Sequence, residues 1–248
     1  MEDNGNRGIE DPAAAASGIA RDLANHLKRQ AELGLEGIDR DELGVARRAL
    51  AKREGKKRPN PAERLRQIRE ELGDCKRCKL HEKRTNIVFG EGDPYARIMF
   101  IGEGPGEDED AQGIPFVGKA GKLLTDIIEK GMGLRRSEVY ITNVVKSRPP
   151  GNRDPEPDEI KACMPFLERQ VDVVRPEAIV ALGRVAAQAL LQTELPIGRL
   201  RGDWHEYRGI PLMPTYHPSY LLRSPGAKRQ VWEDIKLVMN KLDIPIES

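Results

Sequence analysis

The 248 residues include 41 Lys and Arg against 40 Asp and Glu, a formal charge of +1, so the overall balance selects no anionic partner. Aromatic residues are 4% and charged residues 33% of the chain, too polar a mixture for all of it to share one core. No apolar run reaches bilayer-spanning length, which excludes an integral helical membrane protein. The opening MEDNGNRGIEDPAAAASGIA has no basic start or apolar centre, so a cytoplasmic protein with reduced thiols is expected.

Residues 1–60 hold few β-branched or aromatic side chains and an Ala run at 13–16, the pattern of a weakly helical or disordered extension. Ile19 to Leu33 is compatible with one amphipathic helix. Between Arg47 and Arg58 seven basic residues face the single acid Glu54, which suits either a phosphate contact or a solvated linker. From Pro61 the pattern changes, dividing the chain into an extension, 1–60, and a domain, 61–248. Periodicity predicts a helix over Pro61 to Leu72, a buried strand over Ala96 to Gly102, and a helix over Gly121 to Met132. A second strand follows at Val139 to Val145, then a helix at Glu156 to Val174 in which Pro165 argues for a break. A third strand at Ala178 to Gly183 leads into a helix at Arg184 to Leu191. A strand pair around Trp204 to Tyr216 and a helix from Ala227 to Leu242 close the set. Strands alternating with helices imply an α/β fold, a three-layer α/β/α arrangement on a mostly parallel sheet. Its ligands sit beyond the carboxyl ends of the strands.

The loops after those strands carry the polar clusters. After the first come Gly102-Glu103-Gly104-Pro105-Gly106, the acidic run Glu107 to Asp110, and Gly113 to Gly121. Gly113 to Lys119 has the spacing of a phosphate-cradling loop, but Ala120 stands where a magnesium-binding Ser or Thr is needed and no strand directly precedes it. A nucleotide hydrolase is therefore disfavoured. Asn143, at the end of the second strand, offers a donor and an acceptor to a flat ring with adjacent N–H and C=O groups, or serves as a turn residue. His217, in HPSYLLR, stabilises charge developing on a ligand or is satisfied by nearby backbone. Cys75, Cys78 and Cys163 are an odd number in a reducing compartment, so a metal or cluster site is the better use of the Cys-x-x-Cys pair.

The segments GEGPGEDEDAQGIPFVGKAGKLL, TNVVKSRPPGNRDPEPDEI and HPSYLLR resemble the three signature segments of family 4 uracil-DNA glycosylases, the iron-sulfur type, in the family's order. The resemblance runs from about Arg64 to about Leu242. It implies hydrolysis of the bond between uracil and deoxyribose, leaving an abasic site in base excision repair. The chemistry needs the nucleotide out of the stack, donors near the base and an anionic or water-activating group near the sugar. By resemblance, Phe116 stacks on uracil, Asn143 reads its N3–H and O4, and His217 and the Gly104 amide bond the ring. Glu103 orients water or balances the sugar cation, and Glu109 is a second carboxylate or part of the wall excluding the thymine methyl. Ser219, Leu221, Leu222 and Arg223 resemble a DNA-contacting wedge, the leucines being otherwise core residues at a helix start.

The resemblance also implies a 4Fe-4S cluster on four cysteines. Cys75, Cys78 and Cys163 stand at three of those positions, whereas the fourth holds Ser147. Oxygen is a harder donor than thiolate, so a labile cluster is expected, with an open-site or three-iron form and a metal-free fold as alternatives. No His lies between His81 and His205, so the covalent DNA attachment of some relatives is not expected. No Lys stands out as a lyase nucleophile. The reading is a monomeric, monofunctional DNA glycosylase acting on uracil-containing DNA; the alternative is a DNA-binding iron-sulfur protein with weakened catalysis.

Overall fold

The computed structural model describes residues 60–246. The expectations for the extension, including the helix at Ile19 to Leu33 and the basic stretch, lie outside the described residues. Helix α1 spans Pro61–Leu72; the Asn60 side chain accepts from Ala62 N at 3.0 Å, and Pro61 supplies a preset φ at the first turn. Its buried residues Leu65, Ile68 and Leu72 recur at helical spacing and form one apolar stripe.

Six strands make one sheet: β1 (Glu91–Gly92), β2 (Ile98–Gly102), β3 (Tyr140–Asn143), β4 (Ala178–Leu182), β5 (His205–Tyr207) and β6 (Ile210–Thr215). Their order is β1-β3-β2-β4-β6-β5. The four central strands run parallel, and β1 and β5 close the edges antiparallel. Strand alternation divides the core in two. Met99, Ile101, Ile179, Ala181 and Leu212 face one side with α1, and Ile98, Phe100, Val180 and Met213 face the other. The first face is covered by α1, α4 (Pro157–Val174), α5 (Arg184–Leu191) and α6 (Ile197–Leu200). The second is covered by α3 (Lys119–Asp126), α7 (Pro218–Arg223) and α8 (Lys228–Lys241). This is the three-layer α/β/α arrangement that the sequence predicts. Every residue of β2 and β4 is buried, as a sheet covered on both faces demands. Each fully buried Ile or Phe there contributes about 1.5–3 kcal/mol.

Several boundaries differ from expectation. Strand β3 ends at Asn143, two residues early, because the chain then turns: Val144 N and Val145 N bond Gly102 O and Glu103 O, past the end of β2. Helix α3 begins at Lys119 and gives way to a wider turn at Ile127–Gly131, where Met132 N reaches back to Ile127 O. Pro165 does not break α4, which runs unbroken through it with the proline on the exposed face. The acidic run is not a solvated loop but the helix α2 (Glu107–Gln112), with Glu109 and Asp110 buried. No helix among the described residues is long and apolar enough to cross a membrane.

Candidate active site

The carboxyl ends of all four parallel strands open into one cleft of about 980 Å³. Strand β2 delivers Glu103 and Gly104, β3 delivers Asn143, β4 delivers Arg184, and β6 delivers His217. The topology thus brings together Glu103, Gly104, Glu109, Phe116, Asn143, His217, Ser219 and Arg223, all of which line the cleft.

Asn143 is 1% exposed, and its Oδ1 is a buried acceptor with no hydrogen-bond partner in the protein. Such an atom is costly to leave unpaired, by about 1–3 kcal/mol, and marks a place where a ligand donor belongs. Gly102, in register with Asn143, makes room for it. A Cβ at Gly102 would stand 2.4 Å from Asn143 Oδ1 and 2.5 Å from Phe116 Cζ, so only glycine admits both side chains.

Phe116 is 6% exposed and has φ of 54°, a conformation rare for a bulky residue. Its surroundings hold it there. Glu109 Oε1 accepts from Val117 N and Gly118 N, both at 2.9 Å, and Oε2 accepts from Gly106 N at 3.1 Å. Arg136 Nη2 donates to Pro115 O at 2.6 Å, and a Cβ at Gly121 would overlap the Phe116 carbonyl at 2.0 Å. The Phe116 and His217 rings stand 5.6 Å apart at 35°, in tilted contact with each other, and both line the cleft. These bonds correct the expected part of Glu109 as an auxiliary catalytic carboxylate. Its oxygens are taken by backbone N–H groups, so it positions the Phe116 loop. At the end of the phosphate-loop spacing, the Glu109 carboxylate itself accepts from Gly118 N at the amino end of α3.

His217 Nδ1 accepts from Ser219 N at 3.1 Å and lies 2.8 Å from Ser219 Oγ. Nδ1 therefore carries no proton, and the neutral ring bears its hydrogen on Nε2. Burial, aided by the Arg223 charge, pushes the imidazole down to about 4, so the ring stays neutral at ordinary pH. Glu103 is half-buried; burial first, then the Asp154 carboxylate, pushes it up to about 7, against the opposing Arg184 guanidinium. A carboxyl poised near neutrality is matched to proton transfer.

The predicted wedge needs one correction. Leu221 is 1% exposed and packs in the core beneath α7, so it cannot reach DNA, whereas Leu222 is 48% exposed and Arg223 is exposed beside it. The helical repeat turns neighbouring leucines to opposite environments. Sequence reasoning also passed over Lys146, which is 1% exposed, has burial pushing its amine down to about 7, and does not line the cleft. Its only sequence signal is its place beside Asn143 at the end of β3.

Away from the cleft, Cys75, Cys78 and Cys163 belong to one apolar cluster, and the Cys75 and Cys78 thiols act electrostatically on Cys163. Arg84 Nη1 donates to Cys75 O at 2.6 Å and to Ser147 Oγ at 3.2 Å, tying the fourth position to the same corner. Burial pushes the Cys78 and Cys163 thiols up. Among the described residues no group of three or more His, Cys, Asp or Glu side chains is placed to hold a metal ion. The corner gathers three thiols, the soft donors that iron-sulfur groups use, but its fourth position offers a serine hydroxyl, a harder donor.

Residues 89–236, more than half of the chain, match the family model of the uracil DNA glycosylase superfamily. The chain is 49% identical over 182 residues to a type-4 uracil-DNA glycosylase of Sulfurisphaera tokodaii, covering 70% of this chain and 83% of the relative. The corresponding enzyme of Thermotoga maritima is 48% identical over 68% of this chain and 90% of its own length; that of Archaeoglobus fulgidus is 44% identical over 71% and 92%. The chain belongs to the uracil DNA glycosylase superfamily, in its type-4 group.

Proposed function

We propose that this chain hydrolyses the N-glycosidic bond of deoxyuridine in DNA, releasing uracil and leaving an abasic site in base excision repair. The observation that carries this reading is the unpaired, buried Asn143 Oδ1 in the cleft that Phe116 and His217 also line. Uracil N3–H supplies the missing donor, and the Asn143 amide N–H answers uracil O4. Cytosine presents an acceptor at N3, which would meet Oδ1 lone pair to lone pair, so the base is rejected.

The reacting carbon is reached only when the nucleotide leaves the stack. Phe116 stacks on the flipped ring, and neutral His217 donates from Nε2 to uracil O2, where negative charge develops as the bond breaks. The Gly104 amide adds a second donor. Glu103, as carboxylate, orients water toward the sugar and offsets its developing positive charge. Leu222 is the exposed apolar group suited to fill the vacated space. Lys119, Arg153 and Arg223 line the cleft and suit the phosphates beside it, with Ser219 acting chiefly through His217. Lys119, which lines the cleft, is read as a phosphate contact and not as a lyase nucleophile, so the proposed reaction stops at the abasic site.

Cys75, Cys78 and Cys163 would hold a 4Fe-4S cluster, with the Ser147 oxygen at the fourth position. When bound, the group supplies a covalent tie between the turn after α1, the end of β3 and α4. The extension, 1–60, is proposed as a segment separate from the glycosylase domain, 61–248.

The test is a labelled oligonucleotide carrying one uracil, incubated with the protein and treated with alkali, beside thymine and cytosine strands. Cleavage only at uracil is expected. An uncut uracil strand that the folded protein still binds would leave a DNA-binding protein without glycosylase activity.

A further inference from the structure

Lys146 is buried, yet no carboxylate pairs with it among its described hydrogen bonds and ion pairs, and the reaction derived above does not use it. Its Nζ donates to Asn143 O at 2.6 Å and to Thr142 Oγ1 at 2.7 Å. Burying so polar a head without an ionic partner is unfavourable unless its bonds accomplish something that an apolar side chain would not. Both acceptors lie on the last two residues of β3, and the second is the backbone of the residue that reads uracil.

The bonds continue away from the cleft as a closed network. Having accepted from Lys146, the Thr142 hydroxyl donates to Phe89 O at 2.8 Å. Gln170 of α4 donates to the same carbonyl at 2.9 Å and to Tyr140 Oη at 3.2 Å. Thr142 and Gln170 are each fully buried. The Lys146 main chain is held as well: Val88 N donates to Lys146 O at 2.8 Å, and the Lys146 N–H bonds the Cys163 thiol. Lys146 is thus joined by its side chain to the strand end that carries Asn143 and by its backbone to α4.

We propose that Lys146 is a positioning and specificity-determining residue. It caps the carboxyl end of β3, fixing the Asn143 peptide so that the Asn143 amide meets uracil N3–H and O4 without first reorganising. Asn143 is the last residue of β3 and is 1% exposed, so its carbonyl is shielded from solvent. Lys146 supplies its donor by folding back three residues along its own chain, and an amine or an ammonium serves equally, since both donate twice. This inference rests on the reading that Asn143 recognises uracil.

A double-mutant cycle tests it, with uracil excision as kcat and KM, the uracil-to-cytosine ratio, and thermal unfolding measured for each protein. Lys146→Met keeps the length of the side chain and removes its donors. A drop in kcat between about tenfold and a hundredfold is expected, with KM for the strand nearly unchanged, as for a misplaced contact of the transition state. Lys146→Gln, which keeps a donor, recovers part of it. Asn143→Ala then has a much smaller effect in the Lys146→Met background than in the wild type. Should Lys146→Met fail to fold, Thr142→Val removes one of the two acceptors and enters the same cycle, with the same coupling to Asn143→Ala expected. Additive effects of the 146 or 142 substitution and Asn143→Ala, in a chain whose wild type cuts uracil, would overturn the proposal and leave the glycosylase reading intact. A wild type that cuts no uracil would overturn both.

Discussion

The turn Val144–Ser147 separates two regions built on different terms. On one side lies the cleft, where Phe116 is held through Glu109 and Arg136, His217 through Ser219, and the Asn143 backbone through Lys146. On the other lies the cysteine corner, where burial holds Cys78 and Cys163 toward the neutral thiol and the fourth position is a serine already bonded to Arg84. The cleft is organised by hydrogen bonds among its own residues, whereas the corner gathers thiols that burial keeps neutral and that the proposed cluster would hold as thiolates. The difference teaches that the pocket and the corner are built by different means and meet at Lys146, whose side chain bonds the Asn143 carbonyl and whose backbone N–H bonds the Cys163 thiol.

The largest effects are expected where that separation is attacked from the cleft. His217→Ala removes the donor to the developing anion and should lower kcat by about 10²–10³ without altering iron content, as measured by single-turnover excision and iron analysis. Gly102→Ala puts a Cβ against both Asn143 and Phe116; excision should fall by about 10–100-fold, with near-native unfolding of the rest of the sheet.

The next effect is one of pH. Glu103 acts as a carboxylate and its pKa is pushed up to about 7, so excision should climb as pH rises toward and through neutrality. Glu103→Gln should be slow at every pH and lose that limb in a pH–rate profile. The linked stability has the opposite sign: a folded pKa above the unfolded one stabilises at low pH, and that contribution fades as pH rises through about 7. Glu109→Ala should leave the Val117, Gly118 and Gly106 N–H groups without acceptors and lower stability by about 1–3 kcal/mol in denaturant unfolding, with excision reduced through the loosened Phe116 loop. Smallest in its effect on excision, and aimed at the corner alone, Ser147→Cys should raise the iron retained per chain. Unchanged iron would remove position 147 from the ligand set.

Much of this was legible in the sequence, for identifiable reasons. Continuous apolar runs in ARIMFIG and AIVALG announce strands buried on both faces, and the ends of β2, β3 and β6 hold Glu103, Asn143 and His217 because a parallel sheet gathers its strand ends. What the sequence hid depends on contacts between distant residues. The acidic run around Glu109 reads as solvated until the Phe116 loop folds over it and hands it three backbone donors. Leu221 and Leu222 read alike, and only the direction of α7 sends one to the core and the other to solvent. Lys146 carries no motif, since its importance arises from folding back on Asn143.

The account stands on the unpaired Asn143 oxygen, and the most direct measurement is a crystal structure of Glu103→Gln with a strand carrying uracil. The expected result is the flipped base stacked on Phe116 with His217 at its O2 edge, its N3 about 2.7–3.2 Å from Asn143 Oδ1. A base seated elsewhere, or Asn143 Oδ1 still without a donor beside a bound uracil, would contradict it.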